Sequence, residues 1–325
     1  MATGIVSIAA WDFQLAILAL TLFALNLAAF AVLVVLTVLR GIRYPRAFVA
    51  DMTDHQAGPG FFTAVAGSCI LGTQFLLLMH SVTAATVLLA LGVAAWLGFT
   101  YTIFTALTVK RVKPPLEKGV SGAWQIAVVA TQSIAVLASL ISRDWPEPLR
   151  LQLDFFALSM WLWGGMFYIW IISLIFYRYT FLGFSPGDLA PPYWINMGAM
   201  AISTLAGAQL AQNASHAPFL AALLPFLKGF TIFYWATGTW WIPMLVALSI
   251  WQHLIKRFPL RYGPSVWGAV FPLGMYTVAT RQMAAALELP FLNSVLPAIF
   301  AVALLAWMLA CVGLIRDLSK LVLLR

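Results

Sequence analysis

Apolar residues run along this chain almost without interruption, broken by short polar segments. Stretches free of Asp, Glu, Lys and Arg cover 13–39, 56–109, 119–142, 155–177, 189–227, 229–255, 262–280 and 289–315. A helix that crosses a bilayer needs about 20 such residues. The runs 56–109 and 189–227 each have room for two crossings, with a polar break at His80-Ser81 and another near 213–216. The pattern predicts nine full spans, near 14–39, 59–79, 82–108, 120–142, 154–177, 192–212, 226–254, 264–285 and 291–315, and a partial one over 1–10. Ten residues at 1.5 Å rise cover only about 15 Å, half the hydrocarbon core. The first span is therefore expected to begin upstream of Met1. The expected fold class is an all-α integral membrane protein with ten transmembrane helices, the first truncated, in a single domain over 1–325.

The odd-numbered spans begin alike. Each opens with small or helix-breaking residues followed by an aromatic: Pro59-Gly60-Phe61-Phe62, Ser121-Gly122-Ala123-Trp124, Pro191-Pro192-Tyr193-Trp194 and Gly263-Pro264-Ser265-Val266-Trp267. Pro and Ser suit a helix start on steric and capping grounds. The aromatics Phe62, Trp124, Trp194 and Trp267 lie 62, 70 and 73 residues apart, a period that fits one helical hairpin. Five hairpins account for the chain.

Composition sharpens this picture. The chain is 63% hydrophobic and 9% charged, where a soluble domain carries about 25% charge. The even spans are bulky and apolar, whereas the odd spans contain Gly67, Ser68, Gly72, Thr73 and Gln74; Gln125, Thr131, Gln132 and Ser133; Asn196, Gly198, Ser203, Thr204, Gly207 and Gln209; and Gly268, Gly274, Thr277 and Thr280. Small residues let helices approach closely in lipid. Their segregation with neutral polar groups into alternate helices also fits an inner ring lining a path, with even helices facing lipid. The expected lining residues are Gly67, Thr73, Thr131, Gln132, Ser203, Thr204, Gly274 and Thr277. Such a path has hydroxyls and amides but little fixed charge, which favours the weak, distributed binding that conduction needs.

Charge sets orientation. Fourteen of the eighteen basic residues fall on one side, after the second, fourth, sixth, eighth and tenth spans, among them Arg40, Arg43, Lys110, Lys113, Arg178, Lys256, Arg257 and Arg325. The positive-inside rule makes that side cytoplasmic and places both termini there, in an inner (plasma) membrane. The pI near 9.7 thus reports topology, and no nucleic-acid partner is expected. Cys69 and Cys311 stand alone within apolar runs, outside any metal or redox spacing, so no metal or other cofactor is expected.

Two residues of the ninth span invite a functional reading. Phe271 precedes Pro272 roughly 10 to 12 Å along the helix, and a ring beside a proline kink either packs or plugs a narrow tube. Arg281 stands roughly 14 Å farther along, where it either attracts anions or snorkels to headgroups.

Four segments carry a family resemblance: 1–7, 59–69, 194–208 and 267–277, reading MATGIVS, PGFFTAVAGSC, WINMGAMAISTLAGA and WGAVFPLGMYT. In order and spacing the chain resembles the tellurite-resistance/dicarboxylate transporter family, related to plant guard-cell slow anion channels, fungal malate permeases and sulfite efflux pumps. The resemblance covers the whole chain except that the residues preceding Met1 in the family pattern are absent. It implies five hairpins around a central pore, odd helices inside, and a homotrimer with one pore per protomer. It also implies that Phe271, with Pro272, occludes the pore as a gate.

The function expected is a channel or transporter for small anions: dicarboxylates such as malate, sulfite, or inorganic monovalent anions. A proton-coupled anion exporter, acting on tellurite or sulfite, is the alternative; its mark is a titratable residue in an odd span, where Arg281 is the one ionic group recognised. A membrane enzyme requires clustered acids, histidines or a nucleophile. The cluster Asp51, Asp54 and His55 reads instead as a solvated loop, and no enzyme is expected.

Overall fold

The computed structural model describes residues 1–323; Arg325, counted above among the basic residues, lies outside them. Ten helices dominate: α1 Ala2–Asp12, α2 Ala16–Arg43, α3 Phe62–Met79, α4 Val82–Val109, α5 Gln125–Ile141, α6 Leu149–Phe181, α7 Ile195–Asn213, α8 Leu224–Ile250, α9 Trp267–Ala286 and α10 Leu296–Leu323. No strand occurs among the described residues. Six segments, containing α2, α3, α4, α5, α6 and α10, are long and apolar enough to cross a membrane.

The anticipated hairpin turns have clear physical causes. His80 ends α3 in the left-handed region, at φ 51°, and the next residue caps α4: Ser81 Oγ accepts from Ala84 N at 3.4 Å. After Asn213 the chain turns, and the short helix Pro218–Ala222 leads into α8.

Each odd helix packs on the even helix that follows it, and the odd helices also pack on one another in the cyclic order α1, α3, α5, α7, α9 and back to α1. A closed inner ring results. Every residue of α5 is buried, and only Gln212 of α7 is not. Of the 28 residues of α2, by contrast, only Ala19, Leu22, Phe23 and Asn26 are buried. Outer-ring side chains such as Ile17, Leu33 and Leu309 are 86%, 63% and 63% exposed, a surface that water would not tolerate and lipid would cover.

The small-plus-aromatic starts recognised in the sequence form 3-10 turns ahead of α3, α5, α7 and α9: Gly58–Phe61, Gly122–Trp124, Pro191–Trp194 and Pro264–Val266. These turns touch one another in sequence around one end of the ring. Gly122 allows the closest approach. A Cβ there would stand 2.5 Å from both Pro192 O and Tyr193 Cα. The same end is tied together by Arg178, a buried side chain of α6. Its Nη1 donates to Val120 O at 2.6 Å and Tyr193 Oη at 2.5 Å, and its Nη2 donates to Asp188 Oδ1 at 3.1 Å. We call this the basic end, because Arg40, Arg43, Lys110, Lys256 and Arg257 cluster in its loops and helix ends.

Candidate functional site

The opposite half of the ring encloses a cavity of about 210 Å³ to which all five odd helices contribute. Its wall includes Ile5, Ile8 and Asp12 of α1; Cys69, Thr73 and Leu77 of α3; Ser133, Val136 and Leu140 of α5; Ile202, Leu205 and Gln209 of α7; and Met275, Val278 and Gln282 of α9. Spacings of three and four recur on every helix, so a single stripe of each faces inward. On α5 the stripe runs past the helix end to Arg143, at positions 133, 136, 140 and 143.

Followed toward the basic end, the same stripes carry apolar residues only. One turn below Met275 lies Phe271, one turn below Ser133 lies Val129, and one turn below Ile70 lies Ala66; their exposures are 0%, 1% and 0%. The cavity thus ends on a dry apolar neck. Pro272 lies against α7, where a Cβ on Gly198 would come within 2.8 Å of the proline Cγ. The glycine makes room for the pyrrolidine ring, and α9 runs continuously from Trp267 to Ala286.

The expected lining residues separate into two groups. Thr73 lines the cavity, although its hydroxyl donates to Cys69 O at 3.0 Å. The other seven do not contribute to its wall. Gly67 faces Phe30 of α2, and Gly274 faces Ile5 and Val6 of α1. Thr131 Oγ1 accepts from Trp96 Nε1 of α4 at 2.8 Å, and Gln132 Nε2 donates to Trp161 O of α6 at 3.0 Å. Ser203, Thr204 and Thr277 donate to the carbonyls of Ala199, Met200 and Leu273 in their own helices. These polar groups therefore serve helix packing, because a buried hydroxyl or amide must find a partner and the even helix is nearest.

Arg281 is also placed differently from expectation. Its guanidinium lies 5.7 Å from the centroid of the Phe13 ring, beside the cavity rather than on its wall. The arginine of the wall is Arg143, read from the sequence only as an outer-loop charge. Arg143 Nε donates to Asn213 Oδ1 at 2.7 Å; its Nη2 donates to Gln212 Oε1 at 3.1 Å and to Gln209 Oε1. Asn213 in turn donates through Nδ2 to Asp154 Oδ1 at 2.8 Å and Ser139 O at 2.7 Å. This chain of bonds fixes the guanidinium plane at the mouth. Asp12, at the end of α1, completes the ionic complement, so Arg281 is not the sole ionic group of the odd helices.

Both Arg143 and Asp12 were detectable in principle. Each continues the inward stripe of its helix, but the facing direction had to be known first.

A ring of helices, a cavity on its axis, an arginine at the mouth and an apolar neck are the parts of an ion path. Comparison with known proteins agrees. The pattern of the voltage-dependent anion channel family, SLAC1, matches residues 1–315. The chain belongs to this family. It is 26% identical over 266 residues to an uncharacterized transporter of Methanocaldococcus jannaschii, covering 80% of this chain and 73% of that one. A second uncharacterized transporter of that organism is 26% identical over 269 residues, 81% of this chain and 73% of the relative. An uncharacterized membrane protein of Mycobacterium tuberculosis (strain H37Rv) is 40% identical over 152 residues, 47% of this chain and 77% of that protein. Membership identifies an anion channel or transporter in general, and points away from an enzyme. In keeping with that, Asp51 pairs with Arg40, and Asp54 Oδ1 accepts from the backbone N–H groups of Gln56 and Ala57 at 2.8 and 2.9 Å in the loop after α2.

Proposed function

We propose that this protein conducts small anions along the axis of the inner ring, through ten membrane crossings arranged as five hairpins, with Phe271 as the gate and Pro272 setting its place on α9. The observation that carries the reading is the alignment of Phe271 with Met275, Val278 and Gln282, which puts its ring one turn below the cavity floor on the inward stripe. An ion reaching that neck must shed water against apolar side chains, and such a constriction gates by dewetting. Helices α7 and α9 need not be uniformly apolar to cross, because neighbouring helices shield them from lipid. The basic end faces the cytoplasm of a plasma membrane by the positive-inside rule, and the assembly is a homotrimer, as the resemblance implies.

The test is anion flux into liposomes containing the purified protein. Phe271→Ala should conduct about tenfold or more above the natural protein, equivalent to removing ~1.4 kcal/mol or more of barrier. Phe271→Leu should fall between the two. Flux in a folded Phe271→Ala protein that equals the natural level overturns the gate. The alternative of proton-coupled export gains support from Asp12, a titratable group of an odd helix on the cavity wall. Its signature is anion accumulation driven by a pH gradient alone, which a passive channel does not sustain.

A further inference from the structure

The cavity mouth carries two opposite charges that face each other. Arg143 spans the ends of α5 and α7, whereas Asp12 belongs to α1, which packs between α9 and α3 on the other side of the ring. Both contribute to the wall. Arg143 is exposed, its Nε and Nη2 are held by amide oxygens, and its Nη1 has no protein partner among the described residues. Asp12 Oδ2 is buried and likewise without a hydrogen-bond partner. Arg281 acts on Asp12 through its field, but its guanidinium is stacked on Phe13. One unused donor and one unused acceptor thus point to a ligand that supplies both complements.

Other polar groups of the wall are already committed. Ser133 Oγ donates to Val129 O at 2.7 Å and Thr73 Oγ1 to Cys69 O, so each hydroxyl has spent its proton. A halide or nitrate presents acceptor character alone: Arg143 attracts it and Asp12 repels it. A carboxylate or other oxyanion that also bears a hydroxyl satisfies both groups at once. Its charged oxygen accepts from Arg143 Nη1, and its O–H donates to Asp12 Oδ2. A charge-assisted hydrogen bond at each end makes the match specific.

We infer that the mouth is a recognition site for small hydroxyl-bearing anions, namely hydroxycarboxylates and protonated oxyanions, with Arg143 holding the charge and Asp12 receiving the hydroxyl. This inference rests on the reading of the cavity as part of an anion path, and it assigns that path its preferred cargo. Asp12 then discriminates against anions without a donor by leaving its own oxygen unpaired and its charge opposed.

Glycolate and acetate test the inference, because they share charge and carbon skeleton and differ by one hydroxyl. Binding is read from the ligand-induced rise in unfolding temperature of the full chain in detergent at pH 7.5, and transport from liposome flux. Glycolate should bind about five- to tenfold more tightly than acetate, the scale of a charge-assisted hydrogen bond moderated by solvent. Asp12→Asn should bring that ratio close to one, chiefly by improving acetate. Arg143→Gln should weaken both anions alike and leave the ratio intact.

Equal binding of the two anions by the natural protein overturns the inference without recourse to any variant. A preference that survives Asp12→Asn overturns the assignment to Asp12. Preferential glycolate binding with no flux of either anion, in the natural protein and in Phe271→Ala, supports the recognition site and overturns the transport reading instead.

Discussion

The two halves of the inner ring are cut from the same five helices and differ in what their inward stripes carry. Toward the mouth the stripes end in Asp12, Gln209, Gln282 and Arg143 around open volume; toward the basic end they carry Ala66, Val129 and Phe271, wholly buried. The polar half can gather an anion and hold it loosely. The apolar half sets the barrier, because no group there replaces lost water. Attraction and occlusion are thus assigned to separate turns of one helix set, so each can be altered alone.

The largest effect should come from exchanging closure between residues of the apolar half. In a Phe271→Ala background, Val129→Phe restores a ring to the same level from the neighbouring stripe. Flux should fall back by about tenfold or more toward the natural value, as expected for rebuilding a barrier of ~1.4 kcal/mol or more. A double variant that conducts as well as Phe271→Ala would show that the two residues do not share a neck.

The scaffold of the closed half is next. Gly122→Ala places a Cβ against the backbone of Pro192 and Tyr193, which no side-chain rotation relieves. A loss of about 3 kcal/mol is expected, the upper range for overpacking, read as a lower unfolding temperature and reduced monodisperse yield. Gly98, whose Cβ would meet nothing within 4 Å, supplies the contrast: Gly98→Ala should be neutral or slightly stabilising.

In the open half, Asn213→Leu removes the amide that joins Arg143 to Asp154. The guanidinium loses its fixed plane while its charge remains. Conduction through the Phe271→Ala pore should fall about two- to fivefold, most at low salt, where a surface charge acts over a longer screening length. Loss of flux that is independent of ionic strength would instead indicate collapse of the mouth.

The smallest effect concerns pH at the basic end. Hydrogen bonds from Ser185, followed by the nearby Arg178, hold the Asp188 carboxyl below its ordinary value. A depressed carboxylate stabilises the fold above its unfolded pKa, about 3.9, and that contribution disappears as pH falls through the lower folded value. The unfolding temperature should therefore drop as pH is lowered below about 4, and Asp188→Asn should flatten part of that drop. An identical acid limb in the variant would detach Asp188 from the stability of this end.

Much of the architecture was legible in one dimension. Bilayer thickness is a constraint on length alone, so uninterrupted apolar runs announce crossings, and the His80-Ser81 break announces a turn. The small-plus-aromatic starts were equally local, because a 3-10 turn requires only its own residues. Phe271 was singled out by the proline beside it, a local signal again.

What the sequence could not supply was direction around each helix axis. A soluble helix reveals its buried face by amphipathic bias, but α5 is enclosed on every side and α7 almost so, and both are apolar or small throughout. Thr131 and Gln132 therefore looked equivalent to Ser133, and only packing showed two of them turned to Trp96 and Trp161 and the third to the cavity. Arg143 and Asp12 meet across a ring closed by contacts between residues far apart in the chain. Sequence alone determined that this chain forms apolar helices in hairpins with basic residues at one end, since hydrophobicity, length and charge act residue by residue. Tertiary structure alone decided which face of each helix meets the axis, because in a helix buried on all sides that choice belongs to its neighbours.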